Sequence, residues 1–470
     1  MDSLLTTIII VGAFDHYLHG EILSTSKAHF HLKLPGSRQK RRITSKTITM
    51  SKPNILILGC NFAGLTAARY IHDTVKGRAT ITIIDRKSVL LFVPNIPLQV
   101  LANTNPAIDL EYKFMSFLEQ DGSTFLQAEI LTIDPETNTV FYQPNERAGH
   151  PIRKIHYDYL VVALGNRLAY DQIEGFAGNG HSVTDTFLGN RLRNYLHKDY
   201  KGGPVVITSD VFHQGKSDKL PAGLPVAMTA CEGPPVEMAF SLAHWLEKYK
   251  LGNAYTIHLT TPAEVIAEDA GETILDQLIP MMGNMGYHYK ANTRGIKRMH
   301  EGGIEYNDGS SQESEISIVF PDWQPHEFLR ELPFTDDRGF VITDLYMRNP
   351  DYRNIFAVGD AASITVPKIG SLGHMEAEVL AKTLGKEVGA ISEELKPLEF
   401  ELLCMGVMGG IKGFYMRTNE WWGGTESHLE MGFTPYALKM GFKKMYYTLG
   451  GKIPGWGLAF SELVGDHTLI

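Results

Sequence analysis

Asn54-Ile-Leu-Ile-Leu58 runs directly into Gly59-Cys-Asn-Phe-Ala-Gly64-Leu-Thr-Ala-Ala-Arg-Tyr-Ile71. The first five residues form the short, continuous apolar run expected of a parallel strand buried on both faces. Gly59, Asn61 and Gly64 then occupy a G-x-G-x-x-G frame, with Asn in the place of the middle glycine. Asn is one of the few other residues that tolerate left-handed geometry. The segment that follows presents Leu65, Ala68 and Ile71 on one helical face. A second apolar run, residues 79–84, ends in Asp85, where a ribose-binding acid is expected. Strand, glycine turn, helix, strand and acid together describe a βαβ unit that holds a dinucleotide. The tight turn brings backbone N–H groups and a helix N-terminus to a pyrophosphate, and the acid accepts from a ribose hydroxyl.

The whole chain has 470 residues, 43% apolar and 21% charged, with a net charge of −9. That is a globular composition with room for about three domains of roughly 150 residues each. With no global basic field, nucleic acid is not expected as a partner. The three cysteines, Cys60, Cys231 and Cys404, exclude a disulfide framework and a four-cysteine metal site, and leave room for one redox pair. No apolar run reaches the roughly 18 residues of a membrane span. Residues 1–49 read differently. An apolar stretch, Leu4 to Phe14, lacks a basic flank, a Lys/Arg/Ser/Thr-rich run follows, and Met50 precedes the strand. The expectation is an over-extended start, with a weak presequence as the rival.

Two later segments point to the kind of dinucleotide. Residues 157–165 (YDYLVVALG) form an apolar strand ending at Gly165, and residues 354–362 (NIFAVGDAA) form another ending at Gly359-Asp360. Both resemble signatures of flavoproteins with two dinucleotide-binding domains. The resemblance implies FAD in the first site, with Gly165 near the adenosine and Asp360 on the ribityl and pyrophosphate region.

In flavin-linked NADH enzymes a second glycine loop lies in the middle domain. The matching place here is residues 224–246, LPVAMTACEGPPVEMAFSLAHWL. Residues 225–229 read as a strand. Pro234 and Pro235 suit the first turn of a helix, and Val236, Ala239, Phe240, Ala243 and Leu246 supply its apolar stripe. The three glycine positions are Ala230, Glu232 and Pro235, so a carboxylate stands where a backbone should approach a pyrophosphate. NADH binding is not expected. Cys231 instead sits at the helix N-terminus, a position that lowers a thiol pKa.

Four stretches then carry a resemblance to the sulfide:quinone oxidoreductases, cousins of the flavocytochrome c sulfide dehydrogenase flavoproteins. Residues 90–100 (LLFVPNIPLQV) place Phe92, Pro94 and Pro97 as in a segment beside the flavin. Residues 231–237 (CEGPPVE) resemble C-x-G-P-x-x-E, and Pro367-Lys368-Ile-Gly370 resembles P-K-T-G against the isoalloxazine ring. Residues 398–410 (LEFELLCMGVMGG) place Cys404 as the second redox cysteine. The resemblance implies that Cys231 and Cys404 meet beside FAD. A disulfide accepts attack by hydrosulfide on one sulfur and releases the other as a thiolate, which can pass two electrons to a flavin. Lys368 beside the ring would stabilise its anionic reduced form. There are two departures. The third cysteine that family members often carry is missing, Cys60 being read as structural. The histidine that often follows the first redox cysteine is replaced, in residues 262–272, by acids alone. Glu237 is the candidate for handling protons.

The tail changes composition from about Pro397. Within residues 435–449, Leu438, Phe442, Met445, Tyr446 and Leu449 recur at helical spacing, flanked by Lys439, Lys443 and Lys444. That pattern suits an interfacial helix on anionic lipid, with Trp421, Trp422 and Trp456 at headgroup level. Met408, Ile411, Phe414 and Tyr415 are candidates to line a quinone entry.

The expected fold is therefore α/β, two Rossmann-like dinucleotide-binding domains with a C-terminal amphipathic helical segment. The FAD-binding domain takes residues 50–165 and 320–395, the second Rossmann-like domain 166–319, and the quinone and membrane contact region 396–470. The expected activity is oxidation of sulfide to polysulfide or elemental sulfur through the cysteine pair and FAD, with electrons passed to a membrane quinone. The alternatives are an NADH:quinone oxidoreductase of the same fold and a flavocytochrome c sulfide dehydrogenase flavoprotein subunit. Expected partners are sulfide, quinone and a membrane surface met from one face, with homo-oligomerisation left open.

Overall fold

The computed structural model describes residues 52–145 and 151–453. The expected over-extended start and Trp456 lie outside these residues. β1 (Asn54–Leu58), α1 (Phe62–Val75) and β2 (Thr80–Asp85) form the βαβ unit, with β1 and β2 parallel. Ile55, Leu56, Ile57 and Leu58 are fully buried, as are Leu65 and Ile71 on α1. Gly59 has φ +96°, and a Cβ there would lie 2.3 Å from the Ala163 carbonyl oxygen. A Cβ at Gly64 would lie 2.2 Å from the Gly59 oxygen. Asn61 is extended, at φ −90° and ψ −158°, so its tolerance of left-handed geometry is not used. The one left-handed position in this turn is Gly59.

β3 (Thr124–Asp134), β4 (Thr139–Pro144), β5 (Arg153–His156) and β6 (Tyr159–Val162) extend this sheet. A second sheet gathers β7 (Gly180–His181), β8 (Val205–Ser209), β9 (Ile257–Thr260), β10 (His288–Lys290) and β11 (Ile316–Phe320). The chain then returns to the first sheet as β12 (Ile355–Ala357), parallel to β6. The first sheet is ordered β12-β6-β1-β2-β3-β4-β5 and the second, wholly parallel, β7-β11-β8-β9-β10. The glycine turn Gly59–Gly64 lies at the carboxyl end of β1, where open α/β sheets take their ligands.

The helices that shape the site are α2 (Gly233–Tyr249), α3 (Glu272–Met285), α4 (Gly370–Glu387) and α5 (Phe433–Thr448). The expected stripe of α2 is buried at Val236, Ala239, Phe240, Ala243 and Leu246. The strand expected at residues 225–229 is not there: that stretch is irregular. Its place before α2 belongs to β8, joined to the helix by the long connection 210–232. Val226 is largely exposed within it, so this apolar run is not a core strand.

A third, antiparallel sheet follows, β13 (Leu402–Gly409), β14 (Lys412–Thr418) and β15 (Ser427–Gly432), in that order. It leads into α5. The face of α5 expected on lipid is turned inward. Tyr446 is fully buried, 5.4 Å from Phe62 and 5.9 Å from Phe92 between ring centroids. Tyr447 stacks on Tyr112 at 4.4 Å. An amphipathic stripe of this spacing serves a protein face as well as a bilayer, and here aromatic partners were available. Lys439, expected beside lipid, is buried. Trp422 stacks on Phe400 at 5.7 Å, and Trp421 packs against the cluster containing Phe212 and Phe340. Among the described residues, no helix is long and apolar enough to cross a membrane.

Candidate active site

The first turns of α1 and α4 converge on one glycine turn. A Cβ at Gly359 would lie 2.6 Å from the Ala63 Cβ, and one at Gly373 3.2 Å from it. Neither helix has a side-chain cap or an acid in its first turn. Their leading N–H groups therefore face the same region with partial positive charge, the arrangement that receives a pyrophosphate. Gly165 and Gly370 border open space where a Cβ would stand. Asp85 accepts from the Cys60 and Lys87 backbone N–H groups, at 2.6 and 2.8 Å. The Gly359 N–H donates to the buried Glu376, which also accepts from the Thr365 hydroxyl at 2.7 Å. Burial pushes Glu376 up to about 7. Asp360 accepts from the Asn166 amide at 2.9 Å. Burial raises its carboxyl, against the Lys368 charge and this hydrogen bond. These residues fit a flavin dinucleotide: two uncapped helix starts, glycines at the close approaches, and acids at the ribose and ribityl ends. Pro94 stands exposed on the turn Val93–Asn95, while Phe92 beside it is buried.

Lys368 is 2% exposed and is not a solvated surface lysine. Its Nζ donates to the Ala362 carbonyl at 2.8 Å and lies 4.0 Å from the Phe340 ring centroid. Burial draws its pKa down to about 8, opposed by Asp360, Asp336 and Glu376. Its backbone N–H donates to Ala230 at 2.8 Å, which ties the Pro-Lys-Ile-Gly stretch to the residue before Cys231.

The structure brings the two expected cysteines together. Cys231 precedes α2, and a Cβ at Gly233 would lie 3.0 Å from the Cys404 Sγ. Both thiols are unbonded and half-buried, whereas Cys60 is buried in the β1–α1 turn. Burial raises the Cys231 thiol well above its ordinary value, with Asp269 and Cys404 adding to it. A hydrogen bond from the Gly233 backbone acts the other way. The lowered thiol pKa expected at a helix start is thus reversed, because loss of solvent outweighs the helix terminus. Cys404 is pushed up to about 12 by burial, with Lys439 lowering it and Glu237 and Asp269 raising it.

Glu237 holds β13 against α2. Its carboxylate accepts from the Val407 N–H at 3.0 Å and pairs with Lys439 at 3.1 Å. Lys439 also donates to the Met405 carbonyl at 2.9 Å, and the Ser241 hydroxyl to Val407 at 2.8 Å. Of the expected quinone-lining residues, Phe414 and Tyr415 are buried and Ile411 is 62% exposed at the β13–β14 turn.

Two residues at this site escape sequence reasoning. Lys439 reads as one of several tail lysines, and only its place on the Tyr446 side of the helix hints at burial. Asp269 is one acid among several in residues 262–272. Its signal is the apolar frame around it, Ile266, Ala267 and Ala270, all buried.

Residues 53–197 match the family model described as pyridine nucleotide-disulphide oxidoreductase. The chain is 22% identical over 362 residues to the mitochondrial sulfide:quinone oxidoreductase of Dictyostelium discoideum, covering 75% of this chain and 73% of that one. It is 21% identical over 380 residues to the mitochondrial external NADH-ubiquinone oxidoreductase 2 of Saccharomyces cerevisiae, covering 75% and 65%. Among solved structures, the sulfide:quinone oxidoreductase of the hyperthermophilic bacterium Aquifex aeolicus matches with a TM-score of 0.73 at 20% identity, over 89% of this chain and 95% of that one. Two nucleotide-type sheets, a shared turn at the starts of α1 and α4, and these likenesses lead to one statement: the chain is an α/β protein of two dinucleotide-binding domains, similar in sequence and in fold to the sulfide:quinone oxidoreductases.

Proposed function

We propose that this protein oxidises sulfide to polysulfide or elemental sulfur through Cys231 and Cys404, and delivers the electrons through FAD to a membrane quinone. The observation that carries the reading is the meeting of the two cysteines at the start of α2, one backbone hydrogen bond from the Lys368 loop. FAD at the α1–α4 turn would supply a two-electron acceptor. Gly59, Asn61 and Gly64 would meet its pyrophosphate and Asp85 a ribose, with Gly165 near the adenosine. Gly359 and Asp360 would meet the ribityl and pyrophosphate region, and Pro94, Lys368 and Gly370 would border the ring. Hydrosulfide attacks one cysteine sulfur of the oxidised pair and the other leaves as a thiolate. Glu237 keeps the two sulfurs in register by clamping β13 to α2.

NADH is disfavoured as the donor. No glycine follows β8 directly, and Glu232 is 1% exposed at the start of α2, accepting from the Ala267 N–H at 2.7 Å. A carboxylate fixed there repels a pyrophosphate. Contact with the bilayer is assigned to the exposed Ile411 and Phe433, with the exposed Lys412 following Ile411 in the chain, making this a monotopic protein. The decisive experiment is anaerobic mixing of the purified yellow protein with sulfide or with NADH. Sulfide is expected to bleach the flavin far faster. Rapid bleaching by NADH with no response to sulfide would overturn the proposal.

A further inference from the structure

We infer that the proton on Glu376 sets how tightly the dinucleotide is held: a neutral Glu376 closes a hydrogen-bond ring on the Gly359 turn, and an ionised one opens it. This rests on the FAD reading above and adds to it a residue of α4 that no motif in the sequence singles out.

The three members of the ring are shut off from solvent. Glu376 and Thr365 are 0% exposed, and Gly359 is buried at φ +67°. The Gly359 N–H donates to Glu376 Oε2 at 2.5 Å. The Thr365 hydroxyl oxygen lies 2.7 Å from Glu376 Oε1 and 2.8 Å from the Gly359 carbonyl oxygen. Both are hydrogen-bond distances, yet the hydroxyl has a single hydrogen. A carbonyl oxygen brings none of its own, so the Thr365–Gly359 contact must use the Thr365 hydrogen. The Thr365–Glu376 contact then needs a hydrogen from Glu376. With a protonated carboxyl the ring closes: Glu376 donates to Thr365, Thr365 to the Gly359 carbonyl, and the Gly359 N–H back to Glu376. With an ionised carboxyl the Thr365 hydrogen turns to Glu376, and two oxygens are left 2.8 Å apart with no hydrogen between them. Burial favours the closed state and raises the carboxyl to about 7.

The ring stands behind the place where the dinucleotide phosphates would lie. A Cβ at Gly359 would be 2.6 Å from the Ala63 Cβ, in the first turn of α1. Phosphates are drawn there by leading N–H groups and partial positive charge. A carboxylate bound to the Gly359 N–H offsets that attraction, whereas a neutral carboxyl does not. The charged groups that face Glu376 are Lys368, from the loop before α4, which favours its ionisation, and Asp360, from the Gly359 turn, which opposes it. On α1, Arg69 is bound to Asp121 and His72 to Asp73. On α4 itself, His374 is bound to Thr66. β13 also packs on α4, but its Cys404 faces Gly233, and β12 carries no ionisable side chain. Dinucleotide binding and protonation of Glu376 therefore assist each other. Affinity is greatest below the Glu376 value of about 7 and falls as pH rises through it, where binding takes up a proton.

The test follows FAD release from the full-length, flavin-loaded protein. Samples are diluted at about pH 5.5 and about pH 8.5, on either side of the Glu376 value, and free flavin is separated by ultrafiltration. Wild-type protein should hold FAD about tenfold less tightly at the higher pH, the effect of one unit of coupling between the two events. Glu376→Gln should erase that difference. Its amide donates to Thr365 and accepts from Gly359, as the protonated acid does, and it cannot ionise. The second readout is the infrared band of a protonated carboxylic acid at about pH 5.5, where ordinary surface carboxylates are ionised. The band should be present in the wild type and weaker by one carboxyl group in Glu376→Gln. Equal retention of FAD by the wild type at the two pH values, a slope that survives in Glu376→Gln, or an infrared band unchanged by that substitution would each overturn the inference. A chain that takes up no FAD at either pH sinks the FAD reading instead, and the infrared band alone then decides whether the ring holds its proton.

Discussion

Lys439 Nζ stands 3.1 Å from Glu237 Oε2, both side chains buried, so the last described helix is ion-paired to the helix that begins beside Cys231. Removing one partner leaves the other charge in a dry interior. Lys439→Met or Glu237→Gln should each destabilise the protein by about 3–5 kcal/mol, seen as a lower midpoint in denaturant. The double replacement Glu237→Leu with Lys439→Met should regain most of that loss. A double variant as unstable as the sum of the singles would show that the pair is not the source.

Cys231→Ser and Cys404→Ser remove a sulfur without disturbing the dinucleotide turn. Each should keep its yellow colour and lose sulfide-driven quinone reduction to the level of a blank. Cys60→Ser should keep the activity, because Cys60 is packed in the β1–α1 turn, away from the pair. Full turnover in either of the first two variants would remove the cysteine chemistry from the mechanism.

Glu376 predicts a pH dependence. Its folded pKa of about 7 lies above the ordinary 4.5, so the folded protein holds a proton that the unfolded chain releases. The stability this supplies is fully present below about pH 4.5 and is lost as pH rises through 7, on the order of 3 kcal/mol across the window. Thermal melts of the flavin-free protein between pH 4.5 and 8 should show the decline. Glu376→Gln, which cannot release a proton, should flatten it. A melt profile unchanged by that substitution would assign the slope elsewhere.

Ile411 and Phe433 are exposed near the same end of α5, since a Cβ at Gly413 would lie 2.7 Å from the Tyr436 nitrogen. Each apolar side chain entering a bilayer interface contributes about 1.5 kcal/mol or more, and each nearby lysine about 1 kcal/mol on anionic lipid. Ile411→Asp with Phe433→Asp should abolish flotation with anionic liposomes at low salt while sulfide still bleaches the flavin. Wild-type protein that stays off such liposomes would move the quinone step to a soluble acceptor.

The local parts of this molecule were legible and the long-range parts were not. β1, α1, β2 and Asp85 follow from periodicity and turn chemistry within one short segment, and the Gly59 geometry has a single steric solution. The middle domain misled because residues 225–229 are apolar and adjoin the Pro-Pro helix start, while the true strand, β8, lies upstream of a long connection. Periodicity cannot tell an apolar loop run from a buried strand of that length. α5 misled for a different reason. Its stripe is real, but a stripe does not name what covers it. Lys439 reads as a surface lysine until Glu237, far away in sequence, is seen against it. Asp269 has no pattern of its own beyond the buried Ile266, Ala267 and Ala270 around it.

The aromatic floor under α5 also sets an order of assembly. Phe62, Phe92 and Tyr112 belong to segments that leave the ribosome more than 300 residues before Phe442, Tyr446 and Tyr447. A nascent chain can close its first sheet while that floor is still bare and the Glu237 carboxylate still waits for its cation. Products that stop before residue 433 are therefore not shortened enzymes. They present a sticky aromatic surface and an unpaired interior charge, and are substrates for holding chaperones and proteases.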